Sequence, residues 1–233
     1  MTRMLASVAN LAEARLAAAC NVDIIDLKNP REGALGALPT RVVGEIFDDL
    51  KGATPVSATI GDLPMRPETI IPAVEAMAAT GVDYVKLGFF PGGDWPAVLD
   101  GLRPMADGGV KLVAVLFADQ PVELTWLAAL ANAGFAGAML DTADKRQGSL
   151  TRQRDLRFLG SFVDTAHWHN LLCGLAGSLQ IDDVVPLAAL GPDYLGFRGA
   201  LCGGKRTDEL NMGAMQSILG ALKGNDARQS PLG

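Results

Sequence analysis

The chain has 233 residues, 49% hydrophobic and 20% charged, with 26 acidic and 20 basic side chains and a net charge of −6. That length is ample for a sizeable core in one large domain or two small ones, and the apolar fraction excludes intrinsic disorder. The acidic balance argues against a nucleic-acid partner, which needs a basic face to release counterions, but leaves room for a small anionic ligand in a local pocket.

Cys20, Cys173 and Cys202 form an odd set without a CxxC pair, which suits a reducing cytoplasm and excludes a disulfide scaffold. The opening MTRMLASVAN lacks the longer apolar core of a signal peptide. The uncharged stretch from Leu124 to Leu140 falls short of the about 20 apolar residues needed to span a bilayer and is interrupted by Asn132, Gly134 and Gly137. A soluble, cytoplasmic protein with no membrane partner is expected.

Along the chain, short β-branched runs alternate with longer Ala/Leu-rich amphipathic ones. Strands are predicted over 4–10, 23–28, 55–61, 84–90, 111–117, 137–142, 171–177 and 194–199. Helices are predicted over 11–20, 41–51, 66–80, 95–107, 122–133, 151–165, 180–190 and 210–223. Several strands are apolar on both faces, as strands covered by helices outside and by neighbours inside must be. Gly81, the Gly108-Gly109 pair, Gly134 and Gly191 each follow a helix, where a left-handed cap belongs.

Eight strand–helix units at about 29 residues each match the spacing of a closed α/β barrel, the single-domain (β/α)8 TIM barrel. The competitor is a doubly wound open sheet, which carries a Gly-rich turn after its first strand. Here that strand ends in Val8-Ala9-Asn10 without one. Residues 1–223 are therefore read as one catalytic barrel domain, and 224–233 as a polar, frayed tail.

Function in such a barrel collects at the C-terminal strand ends. Those ends supply Asn10, Asp26, Lys28, Asp62, Lys86, Asp119, Asp141, Lys145, Gly177, Ser178 and Arg198. Lys86 stands out because it interrupts the apolar run Tyr84-Val85-Lys86-Leu87-Gly88, where a charge needs a partner or a lowered pKa. The competing reading is an edge strand with Lys86 exposed. Period-two geometry puts Asp26 and Lys28 on one face, opposite Ile25 and Leu27; a structural ion pair is the alternative. Asp141 and Lys145 meet if the segment between them turns.

Three lysines and two aspartates thus converge from strands two, four and six. Two ammonium groups about 6 Å apart at an effective dielectric near 20 repel by roughly 3 kcal/mol, or about 2 pK units. A lysine depressed in this way exposes the lone pair that attacks a carbonyl. Amine catalysis on an aldehyde or ketone follows.

The strand-seven and strand-eight ends, Gly174-Leu175-Ala176-Gly177-Ser178 and Gly196-Phe197-Arg198-Gly199-Ala200, offer backbone N–H groups to a phosphate. Gly177, Ser178, Arg198 and Gly199 are the expected contacts, Arg198 through its fork; tight turns with a structural arginine are the alternative. Residues 199–205 resemble a Walker A loop, but Arg206 stands where Ser or Thr should touch magnesium, and that reading is rejected. His167 and His169, the only histidines, flank Trp168 without further ligands, so no metal site is expected.

Asp26-Leu27-Lys28-Asn29-Pro30 followed by Gly33-Ala34-Leu35-Gly36-Ala37, then Val85-Lys86-Leu87-Gly88, Leu140-Asp141-Thr142 with Lys145, and Gly196-Phe197-Arg198-Gly199-Ala200-Leu201-Cys202, together resemble the (5-formylfuran-3-yl)methyl phosphate synthase family. The likeness runs over roughly residues 4 to 223. It implies a (β/α)8 lyase of methanofuran biosynthesis, acting on carbon–oxygen bonds of phosphates and needing no organic cofactor. It also implies that two glyceraldehyde 3-phosphate molecules condense with loss of one phosphate and two waters. The family's Schiff-base lysine maps onto Lys28, and its acid/base residues onto Asp26, Lys86, Asp141 and Lys145. A class I aldolase-like triose-phosphate enzyme and a non-catalytic phosphometabolite-binding barrel remain as alternatives. The expected partner is a small triose phosphate, in a homo-oligomer.

Overall fold

The computed structural model describes residues 1–50, 52–203 and 205–229. Lys51, where the second predicted helix ends, Gly204 of the Walker-like run and residues 230–233 of the predicted tail lie outside the described residues. Eight strands, β1 (Arg3–Val8), β2 (Ile24–Leu27), β3 (Val56–Thr59), β4 (Tyr84–Gly88), β5 (Leu112–Phe117), β6 (Gly137–Asp141), β7 (Leu172–Leu175) and β8 (Tyr194–Phe197), pair in sequence order. All pairings are parallel, and β8 returns to β1, so the sheet closes. The helices are α1 (Leu11–Ala19), α2 (Thr40–Leu50), α3 (Pro67–Ala78), α4 (Trp95–Asp107), α5 (Thr125–Asn132), α6 (Leu150–Gln153), α7 (Leu156–Trp168), α8 (Ile181–Ala188) and α9 (Met212–Gln229). The expected (β/α)8 barrel is therefore present, and the edge strand that would have exposed Lys86 is not.

Strand parity divides the core into two layers. Met4, Ala6, Val8, Ile25, Leu27, Val85 and Leu87 face outward and pack under the helices. Leu5, Ile24, Val113, Val115, Phe117, Met139 and Tyr194 face inward and fill the barrel. Leu35, from the loop after β2, dips into the mouth beside Phe90 and Phe117. These side chains plug the mouth on its β3–β5 side.

Aspartates at the strand starts tie neighbours together. Asp23, Asp83 and Asp193 precede β2, β4 and β8, and accept the N–H of Met4, Val56 and Cys173 on the strand before. His167 contacts Asp193 at this N-terminal end, away from the mouth.

Most elements are trimmed by one to three residues at their ends, and two depart further from expectation. The single helix predicted over 151–165 is two: Arg154 is extended (φ −137°, ψ 141°), and Asp155 starts α7 by accepting the N–H of Phe158. Arg154 also ties its side chain to the carbonyls of Ala118 and Gln120. The last helix runs past Lys223 to Gln229. Of the four expected cap sites, Gly81, Gly109, Gly134 and Gly191 carry the positive φ; Gly108 does not.

Candidate active site

The open half of the mouth is a cavity of about 330 Å³ lined by Ser7, Asp26, Lys28, Lys86, Asp141, Lys145, Gly177, Ser178, Arg198, Gly199 and Arg206, among others. All nine expected site residues border it. Five cationic and two anionic side chains line a cavity in a chain that is acidic overall.

At its floor, Asp26 is fully buried and inward-facing on β2. It accepts from the Ser7 hydroxyl at 2.9 Å, the Ser57 hydroxyl at 2.6 Å and the Lys86 ammonium at 2.9 Å. Burial pushes its pKa up, but the attraction of Lys86 and Lys28 and the Ser57 hydrogen bond outweigh it, and the carboxyl stays below its usual range. Lys86 is only 2% exposed and reaches Asp26 from β4, so its charge is matched.

A second pair forms above β6. Lys145 donates to Asp141 at 2.5 Å and to the Thr142 carbonyl at 2.5 Å, so the chain does turn between them. Burial raises Asp141, while Lys145, Lys28 and the Thr142 N–H lower it further, and it too stays ionised. Asp119, two residues past β5, holds this turn by accepting the N–H groups of Ala143 and Asp144.

Lys28 lies between the two pairs and belongs to neither. Its backbone N–H continues the β1–β2 ladder to the Val8 carbonyl. Among the described residues, no side chain forms a hydrogen bond or ion pair with its amine. Burial dominates, and with the repulsion of Lys145 and Lys86 it outweighs the attraction of Asp141 and Asp26. The pKa falls from 10.5 to about 8.

At the β7 end, Gly177 (φ +115°) and Ser178 (φ +48°) both take left-handed backbone. A Cβ on Gly177 would sit 2.9 Å from Thr142 Cγ2. At the β8 end, the short 3₁₀ turn Gly199–Leu201 leaves its first N–H groups without intrahelical acceptors.

Arg198 is the exception among the expected phosphate contacts. Its guanidinium donates to Glu13 through both Nη1 (2.5 Å) and Nη2 (3.1 Å), and to the carbonyls of Ser7, Arg206 and Asp208. Five bonds occupy five N–H groups. The alternative of a structural arginine describes it better, and no free fork faces a phosphate. Asn10 and Asp62 are structural too: Asn10 caps α1, and Asp62 accepts the N–H groups of Ala34 and Leu35.

Four lining or supporting residues were not expected: Ser7, Ser57, Glu13 and Arg206. The serines carry the signal that singled out Lys86, a polar residue inside an apolar strand. Glu13 and Arg206 carry none, because the groups that their side chains hold at the mouth, Arg198 and the Gly33 carbonyl, lie far away in sequence.

Comparison with known proteins places the chain in a family. Residues 4–218 match the 4-HFC-P synthase family. A relative from Methylorubrum extorquens is 43% identical over 86% of this chain and 82% of its own length. The (5-formylfuran-3-yl)methyl phosphate synthases of Methanopyrus kandleri and Methanosarcina acetivorans are 37% and 34% identical, covering 93% of this chain and 95% and 97% of theirs. Among solved structures, 3-keto-L-gulonate-6-phosphate decarboxylase from Vibrio cholerae superposes with a TM-score of 0.70 over 99% of both chains at 14% identity, a likeness of fold. The chain belongs to the 4-HFC-P synthase family.

Proposed function

We propose that this synthase condenses two glyceraldehyde 3-phosphate molecules into (5-formylfuran-3-yl)methyl phosphate, with loss of one phosphate and two waters, through an imine on Lys28. The observation that carries the reading is the unpaired, buried Lys28 amine with a pKa of about 8, between two carboxylates already neutralised by other lysines. At neutral pH such an amine has an accessible lone pair on the order of a hundred times more often than an ordinary lysine.

Lys28 attacks the aldehyde carbon of one triose phosphate and water departs, leaving an iminium. The iminium acidifies the neighbouring C–H, and an ionised carboxylate, Asp26 or Asp141, takes that proton to give an enamine. Electron flow back from nitrogen expels the phosphate. Carbon–carbon bond formation with the second triose, ring closure and dehydration follow, with Lys86 and Lys145 as proton donors to departing oxygens. The imine hydrolyses to release the furan aldehyde. This is lyase chemistry and draws on no organic cofactor.

Incubation with glyceraldehyde 3-phosphate, borohydride reduction and peptide mapping test it. The adduct is expected on Lys28, with release of phosphate and a new near-ultraviolet furan absorbance. The rate of trapping is expected to rise with pH and level off above about 8, where the amine is neutral. An adduct on Lys86 alone would reassign the nucleophile. Activity surviving Lys28→Ala without any adduct would remove the imine.

A further inference from the structure

The reading above needs places for two phosphates, and the mouth offers two unlike sets of donors. One is the backbone at the β7 and β8 ends. The other is Arg206. The guanidinium of Arg206 lines the same cavity, half-buried, on the loop that leads from β8 to α9. Its one hydrogen bond among the described residues runs from Nη2 to the Gly33 carbonyl at 3.0 Å. Four of its five N–H groups are therefore uncommitted, the reverse of Arg198.

Arg206 is also held in place. Arg198 Nε donates to its carbonyl at 2.8 Å, and Arg198 Nη2 donates to the Asp208 carbonyl two residues on. Glu13 anchors Arg198 from α1. The loop is stapled across the mouth from the α1 side, and the Gly33 contact ties its guanidinium to the loop after β2. That loop is itself fixed by Asp62 through Ala34 and Leu35. A planar fork with free donors, pinned at the rim of a cavity, is what bidentate recognition of a phosphate requires.

We infer that Arg206 forms a second phosphate subsite, separate from the backbone cradle of Gly177, Ser178 and Gly199, and holds the phosphate of the second triose. This rests on the two-substrate reading above. Arg198 serves as the staple that presents Arg206.

Titration with inorganic phosphate, followed by calorimetry or phosphorus NMR, needs no turnover and tests the subsite directly. Two phosphates are expected per wild-type chain, and one for Arg206→Gln, with affinity at the lost site reduced on the order of 100-fold. Arg206→Lys, which keeps the charge but loses the fork, is expected to retain the second site about tenfold more weakly. Unchanged stoichiometry and affinity in Arg206→Gln would overturn the inference. So would a single wild-type site that Arg206→Gln merely weakens, since Arg206 would then share the first phosphate. Borohydride trapping on Lys28 is expected to persist in Arg206→Gln at high substrate. Its absence in the wild type would instead strike the imine reading and leave the phosphate count standing.

Discussion

Three lysines share one cavity, and what separates them is pairing. Lys86 and Lys145 each neutralise a carboxylate; Lys28 hydrogen-bonds to neither, and its burial outweighs the attraction of Asp141 and Asp26. A charged amine held this way destabilises the fold. Below pH 8 Lys28 is protonated in both folded and unfolded chains, and the folded chain bears the full penalty. As pH rises from about 8 toward 10.5, the folded amine is neutral while the unfolded one is still charged, so stability increases. Lys28→Met, of similar length and uncharged, is therefore expected to be inactive yet more stable at pH 7, by about 1–3 kcal/mol. The gain should shrink as the pH approaches 10.5. Denaturant unfolding at pH 7 and pH 10 checks it; a variant less stable than wild type at pH 7 would mean that Lys28 contributes packing or attraction beyond its burial penalty. Lys86 was legible because a charge in an apolar strand is conspicuous, and Lys28 because it shares parity with Asp26. Which of two arginines had free donors was not, since Glu13 lies 185 residues from Arg198.

Among the elements, strands and helices followed from periodicity, and the loops between them did not. Parity alone placed Asp26 with Lys28 and left Ile25 and Leu27 under the helices. The loops owe their shape to carboxylates that look catalytic in sequence. Asp62 and Asp119 lie just past β3 and β5, much as Asp26 and Asp141 lie near or at the ends of β2 and β6, but they accept backbone N–H groups from the neighbouring loop. No single-strand pattern distinguishes these roles, because the acceptor's partner lies more than 20 residues away. The split between α6 and α7 has the same origin, since Arg154 leaves the helix to bond two carbonyls across the β5 loop. Asp119→Ala would orphan the N–H groups of Ala143 and Asp144 beneath Lys145. A loss of about 1–3 kcal/mol in stability is expected, with a larger fall in turnover as the Lys145–Asp141 pair loses its support. Asp119→Asn, which keeps one carbonyl acceptor, should lie between the two. Thermal unfolding and turnover measured on all three chains test this; wild-type turnover in Asp119→Ala would show that the turn holds without its clamp.

Across the whole molecule, closure and charge decide where chemistry can occur. An acidic chain places part of its carboxylate on backbone clamps and keeps five cations around one cavity, so net charge describes the exterior and not the site. The plug of Leu35, Phe90 and Phe117 confines that cavity to half the mouth. The α9 helix packs on α8, α1 and β1, covering the seam where β8 meets β1. Its inward stripe is Met215, Ile218 and Leu222, all at most 4% exposed. Burial of three such side chains is worth about 1.5–3 kcal/mol each, against a total stability of about 5–15 kcal/mol for a typical domain. A chain ended after Leu210 loses the stripe and uncovers the seam, and is expected not to fold to a cooperative barrel. A chain ended after Lys223 keeps the stripe, and is expected to unfold at the wild-type temperature and to retain phosphate release. That outcome would set the end of the folding unit at residue 223, although the helix continues to Gln229. Circular dichroism melts of the two truncations decide it: a lowered midpoint for the chain ended after Lys223 would extend the folding unit into the final turns of α9.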